Sequence, residues 1–180
     1  MNEALERAIR CLAIRDIWLR RTSLVVDEDY DPKFQEETYR VQLRHRLLDV
    51  RVLRKDPANS PNSESGIVRF RLDTGVRLIP RHEEQNEDAV ADDSSAQPDP
   101  VVRATLEAEF VAEYRITDSN IPDEEALSEF GQSNAMYHVW PYWREHVQNL
   151  ASRARLPEIV LPMFRVPKEN RPTTGSGDGD

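Results

Sequence analysis

Basic residues are in deficit along this 180-residue chain: 24 Lys and Arg stand against 33 Asp and Glu, a net charge of -9 with the histidines neutral. That balance argues against general nucleic-acid affinity, which is driven by counterion release from a basic surface. Cysteine is nearly absent. Cys11 stands alone, so no intrachain disulfide can form, and its apolar setting beside Leu12 suits a small buried hydrophobe better than a nucleophile. No apolar run approaches the roughly 18 residues of a membrane span, and Glu3, Glu6, Arg7 and Arg10 interrupt any secretory-type core at the start. The expected setting is therefore the cytoplasm, with no direct membrane insertion.

The elements of catalytic chemistry are equally scarce. The only glycine cluster, at 175–180, lacks the following helix that a phosphate site needs, and one short acidic copy does not build a calcium cage. His138 and His146 are too far apart in sequence for the i, i+4 pair that grips zinc, while His45 falls in a strand-like run and His82 in an acidic one. Glu107 and Glu109 share a strand phase, but it is the polar phase, where solvent keeps both ionised and idle. The expectation is no enzyme, no metal and no cofactor.

What the chain does have is alternation. Val102, Ala104, Leu106, Ala108, Phe110, Ala112, Tyr114 and Ile116 occupy one phase, with Arg103, Thr105, Glu107, Glu109, Glu113 and Arg115 in the other, the period of a half-buried strand. Val68, Phe70, Leu72, Thr74, Val76 and Leu78 repeat it against Arg69, Arg71, Asp73 and Arg77, with Gly75 inside as a candidate bulge. Tyr39, Val41, Leu43 and Leu47 change phase to Leu48, Val50 and Val52, and Leu12 and Ile14 give way to Ile17 and Leu19, each shift predicting a bulge or change of face. Four strands without helices between them predict an antiparallel sheet in sequence order. Arginines such as Arg40, Arg44, Arg46 and Arg51 alternate with apolar residues and read as a solvated face with snorkelling stems. An RNA-reading sheet would need exposed aromatics in that phase for bases to stack on, and the arginine-bearing phase carries none.

A short helix is expected at 122–130, with Ala126, Leu127 and Phe130 as its apolar side. The stretches 56–65, 80–100 and 167–180 read as loop or disorder; the second carries seven acids, from Glu83 to Asp99, against Arg81. A longer helix opens at Trp140-Pro141-Tyr142-Trp143-Arg144-Glu145 and runs to Ala154, with Pro141 in a first turn that needs no donor from it. Met136, Trp140, Trp143, Val147, Leu150 and Ala154 then form one narrow apolar seam. Leu156-Pro157-Glu158-Ile159-Val160-Leu161-Pro162 comes directly after it.

This combination, an aromatic-Pro-Tyr-x-Arg-Glu helix start, a long helix, a Pro and an apolar segment ending near Phe164, resembles the signature of the SecB family of export chaperones. The resemblance implies an α+β fold, a four-stranded antiparallel sheet with a long C-terminal helix on one face, assembled as a dimer of dimers. Residues 1–166 would form that domain and 167–180 a disordered tail. It further implies an ATP-independent holdase for unfolded preproteins, with grooves lined by Trp18, Phe34, Tyr39, Leu43, Tyr142, Leu161 and Phe164. Leu106, Ala108, Phe110, Trp140, Trp143, Val147 and Leu150 would make the contacts of a homotetramer. Of the acidic sheet positions on which the SecA motor docks, only Glu107 is matched; Arg21 and Val25 stand where acids are expected. The closing C-terminal helix is also missing, since Pro162, Pro167 and Pro172 break up the chain beyond Leu161. These departures look like the SecB-like branch linked to toxin-antitoxin systems, whose client is an antitoxin. A dedicated adaptor for one such partner, without SecA-dependent export, is the alternative reading.

Overall fold

The structure, a computed structural model, describes residues 3–35, 37–54, 66–81, 101–118 and 122–164. The connector 56–65, the tail 167–180 and the acidic stretch from 82 to 100 lie outside the described residues. Helix α1 (Glu3–Cys11) leads into strand β1 (Leu12–Val26), followed by β2 (Tyr39–Leu53), β3 (Ile67–Pro80) and β4 (Ala104–Ile116). Helix α2 (Glu124–Phe130), a π-helical turn (Gly131–Ala135) and helix α3 (Met136–Arg153) complete the order.

The strands form one antiparallel sheet in the order β1-β4-β3-β2, not in sequence order. Charge on the face away from the helices explains the difference. Glu113 of β4 lies between Arg15 of β1 at 3.5 Å and Arg69 of β3 at 2.6 Å, and Glu109 lies between Arg20 at 3.1 Å and Arg71 at 2.8 Å. An acidic strand is thus held between two arginine strands, and cross-strand pairs of opposite charge are each worth roughly 0.2–1 kcal/mol. The connection 27–38 is long enough to cross the sheet end, where a tight hairpin would have forced β1 beside β2. Arg103 ties both its ends, bonding Asp27 at 2.8 Å and Glu37 at 2.9 Å. These carboxylates hold Arg103 protonated, and its guanidinium holds the Asp27 carboxyl below the usual range.

Register shifts fall between Leu47 and Asp49 in β2 and between Ile14 and Asp16 in β1, at the phase changes visible in the sequence, and a further, unforeseen one between Leu19 and Arg21. Gly75 is no bulge, for pairing runs unbroken through it. The Arg44 guanidinium lies over it, 3.5 Å from where a Cβ would stand, an ordinary contact distance for a methyl group.

The helical layer is more continuous than expected. Asp123 caps α2 by accepting from the Ala126 amide at 2.8 Å, and the backbone stays helical from 124 to 153. Pro141 therefore sits inside α3 rather than at its start. It denies the Tyr137 carbonyl its usual partner, but both residues are exposed, so water can take that role. At the π turn the backbone rides directly on the sheet: a Cβ on Gly131 would come within 2.7 Å of Leu47 Cδ2 and 2.9 Å of Phe70 Cδ1. Phe70, Tyr114 and Phe130 interlock beside it with centroids 5.0–5.4 Å apart. The unforeseen α1 has acids in its first turn and Arg10 in its last, in line with the helix dipole. Its Arg7 reaches Asp123 at 2.9 Å.

Candidate client-binding surface

Alternation along β1 and β2 places a line of apolar side chains toward the helices, and α3 covers the edge strands at only a few points. Trp140 stands edge-on to His45 of β2 at 5.8 Å, and His146 Nε2 lies 2.8 Å from Thr22 Oγ1 of β1. On β1, Ile14 and Leu19 remain 48% and 41% exposed although their strand partners Tyr114 and Phe110 are buried. On β2, Tyr39, Val41, Leu43, Leu47 and Val50 are half-buried and Val52 is 37% exposed. Two partly open apolar strips thus flank the helical layer, one on each sheet edge.

The strip on β2 is bounded by the chain that leaves α3. Arg155 takes a left-handed conformation (φ 56°) and the Leu156 amide donates to the Ala151 carbonyl at 2.9 Å, turning the backbone out of the helix. Residues 156–164 then run back along α3. Ile159 and Leu161 point into the core, Val160 and Met163 outward. Trp140 Nε1 donates to the Pro162 carbonyl at 2.7 Å, and the Phe164 ring packs 5.3 Å from Trp140 and 5.4 Å from His45. The wall of this strip is therefore fixed by an indole, an imidazole and a phenyl ring.

Of the residues expected to line a groove, Tyr39 and Leu43 lie on the helix side of β2, Phe164 packs on His45 farther along the same side, and Leu161 is buried. The other three do not join them. Trp18 lies on the opposite face of the sheet, paired with Val111 and under the Arg69 guanidinium at 5.6 Å. Phe34 sits in the connection 27–38, and Tyr142 is on the outward side of α3; both are exposed. The residues expected at a subunit contact are placed inside the protomer. Leu106, Ala108, Phe110, Trp140, Trp143 and Val147 are all buried and Leu150 packs on the same core, because α3 lays its seam on its own sheet. Residues not foreseen as lining, Val41, His45, Leu47 and Val50, carried a usable signal: they share the helix-facing side of β2 with Tyr39 and Leu43 once the bulge at Leu48 is counted.

Burial governs titration here. His45, His138 and His146 are all pushed below the usual imidazole range by desolvation, with Glu145 opposing the shift at His146. The Cys11 thiol is pushed up by burial and by Asp118. The carboxyl of Glu109, read as idle beside Glu107, is held below its ordinary range, chiefly by its hydrogen bond from Arg71. Glu107 accepts from Arg44 at 2.9 Å, so its charge is shared across the sheet. Among the described residues no group of three His, Cys, Asp or Glu is placed to hold a metal ion, and no helix is long and apolar enough to cross a membrane.

No protein-family model matches the chain. The curated protein SecB-like chaperone Rv1957 of Mycobacterium tuberculosis is 26% identical to it over 155 residues, spanning 86% of this chain and 78% of that one. The solved structure of Rv1957 in complex with a ChAD peptide from the Rv1956 HigA1 antitoxin matches with a TM-score of 0.65. That match has 23% identity and covers 93% of this chain and all of the other. In sequence and in fold the chain resembles SecB-like chaperones.

Proposed function

We propose that this chain is an ATP-independent holdase that binds unfolded polypeptides along the helix-side strip of β2 and keeps them soluble for export or assembly. The observation that carries it is the half-buried row Tyr39, Val41, Leu43 and Leu47 on the helix side of β2, apolar surface that the protomer covers only in part. Unfolded clients expose apolar side chains, and each Å² buried contributes about 25 cal/mol. Selection is thus for the unfolded state. The working molecule is a cytoplasmic, non-enzymatic homotetramer, in which several strips raise avidity by effective concentration.

A second reading, a dedicated chaperone for an antitoxin, is favoured by the antitoxin peptide bound to the Rv1957 neighbour. The pairing of Glu107 with Arg44 supports the same narrowing, since it offers a SecA-type motor no free acidic platform. Light scattering from a chemically unfolded preprotein, without nucleotide, tests the first reading. Suppression saturating near one oligomer per client is expected. No suppression of the preprotein, with rescue of a cognate antitoxin alone, would move the function to the second.

A further inference from the structure

The four strands carry eleven arginines and six carboxylates, a surplus of +5 on a chain whose total is -9, and their ion pairs lie on the sheet face turned away from the helices. The carboxylates lie low and the guanidiniums lie over them. Glu113, Glu109 and Asp73 are nearly buried, and each is shared by two arginines that remain between 28% and 61% exposed. Arg44 also reaches Glu107 at 2.9 Å, and Asp49 takes Arg51 at 2.7 Å and Arg71 at 3.7 Å, so across the face the seven guanidiniums of Arg15, Arg20, Arg44, Arg46, Arg51, Arg69 and Arg71 share five carboxylates. Arg40 and Arg77, near one end of the face, form no ion pair among the described residues.

We propose that this arginine face is a docking surface for a carboxylate-rich polypeptide segment, separate from the client strip on the opposite face. Along β2 and β3 the guanidiniums of Arg44 and Arg46, and of Arg69 and Arg71, recur every second residue, about 6.7 Å apart. An extended peptide with an acid at every second position repeats at the same distance. Guanidiniums engaged on one edge keep further N–H groups for a second carboxylate, in the paired geometry that favours arginine over lysine. Charge complementarity is local: +5 here leaves the rest of the chain strongly acidic, which discourages a dense polyphosphate at longer range. Base stacking has no platform either. Trp18 is the one aromatic that the described strands place on this face, and Arg69 already covers its ring.

The test is fluorescence anisotropy at low salt with a labelled peptide of alternating Glu and Ser, its Gln-Ser counterpart and a labelled oligouridylate. The Glu-Ser peptide binds, weakens as salt rises, and binds roughly tenfold less tightly to the double variant Arg40→Gln, Arg77→Gln, the scale of two exposed charge contacts. Neither arginine supports another described side chain, so circular dichroism of the variant stays that of the parent. Suppression of preprotein aggregation also stays unchanged, which keeps this surface distinguishable from the holdase strip. The proposal is overturned by no binding of the Glu-Ser peptide, by equal binding of the Gln-Ser peptide, by an unaffected double variant, or by tighter binding of the oligouridylate.

Discussion

His138 and His146 are half-buried between sheet and helix and His45 stands more exposed at the β2 edge, each against a neutral neighbour: Phe164 for His45, the Tyr114 hydroxyl at 2.7 Å for His138, and Thr22 for His146, where the charge of Glu145 only partly opposes desolvation. Their folded pKa values lie below the unfolded one, so between the two the unfolded chain holds more protons. Stability is then complete above the unfolded value, about 6.5, and is lost as pH falls through it toward the folded values. The lowered carboxyls of Asp27 and Glu109 act only in the more acidic range below their ordinary pKa. A urea midpoint that drops between pH 7.5 and 5.5 is therefore a histidine effect, and replacing His45, His138 and His146 by Gln should flatten it. A midpoint indifferent to pH over that range would remove the account. Along the sequence these imidazoles offer themselves only as metal ligands, since their burial depends on partners far along the chain.

Elements are legible to the extent that their cause is local. The four strands and the β2 and β1 shifts follow from alternation, and Ala126, Leu127 and Phe130 from helical spacing. Strand order does not, because Glu113 and Glu109 acquire meaning only when Arg15 and Arg69, or Arg20 and Arg71, stand on either side of them. The helix start is misread for a related reason: Pro141 is a good opening signal taken alone, yet Asp123 caps a helical run that continues past it. The candidate client surface is legible in part, since alternation puts Tyr39 and Leu43 on the helix side of β2, while the bulge in β1 turns Trp18 to the other face. An internal proline costs roughly 3 kcal/mol in a regular helix, so Pro141→Ala, by restoring a donor to the Tyr137 carbonyl, should raise the melting temperature. An unchanged or lower value would mean that the π turn upstream has already absorbed the mismatch.

For the whole molecule, placing the tryptophans in the protomer core changes what a disruptive variant reports. Had Trp140 and Trp143 joined subunits, their loss would give folded protomers of lower mass. Packed as they are against Phe110, His45 and Phe164, Trp140→Ala with Trp143→Ala removes two buried aromatics, each worth roughly 3–5 kcal/mol. That sum is comparable to the whole stability of an ordinary domain, so the double variant should lose its near-ultraviolet circular dichroism and aggregate. The proposed self-association would have to use surface that the protomer leaves open, and Ile14 and Leu19 on the edge strand β1 are such surface. If the proposed homotetramer closes through this edge, Ile14→Asp with Leu19→Asp should preserve the protomer fold and lower the mass measured by multi-angle light scattering relative to the parent. An unchanged mass would move the subunit contact away from β1, to the remaining exposed apolar residues.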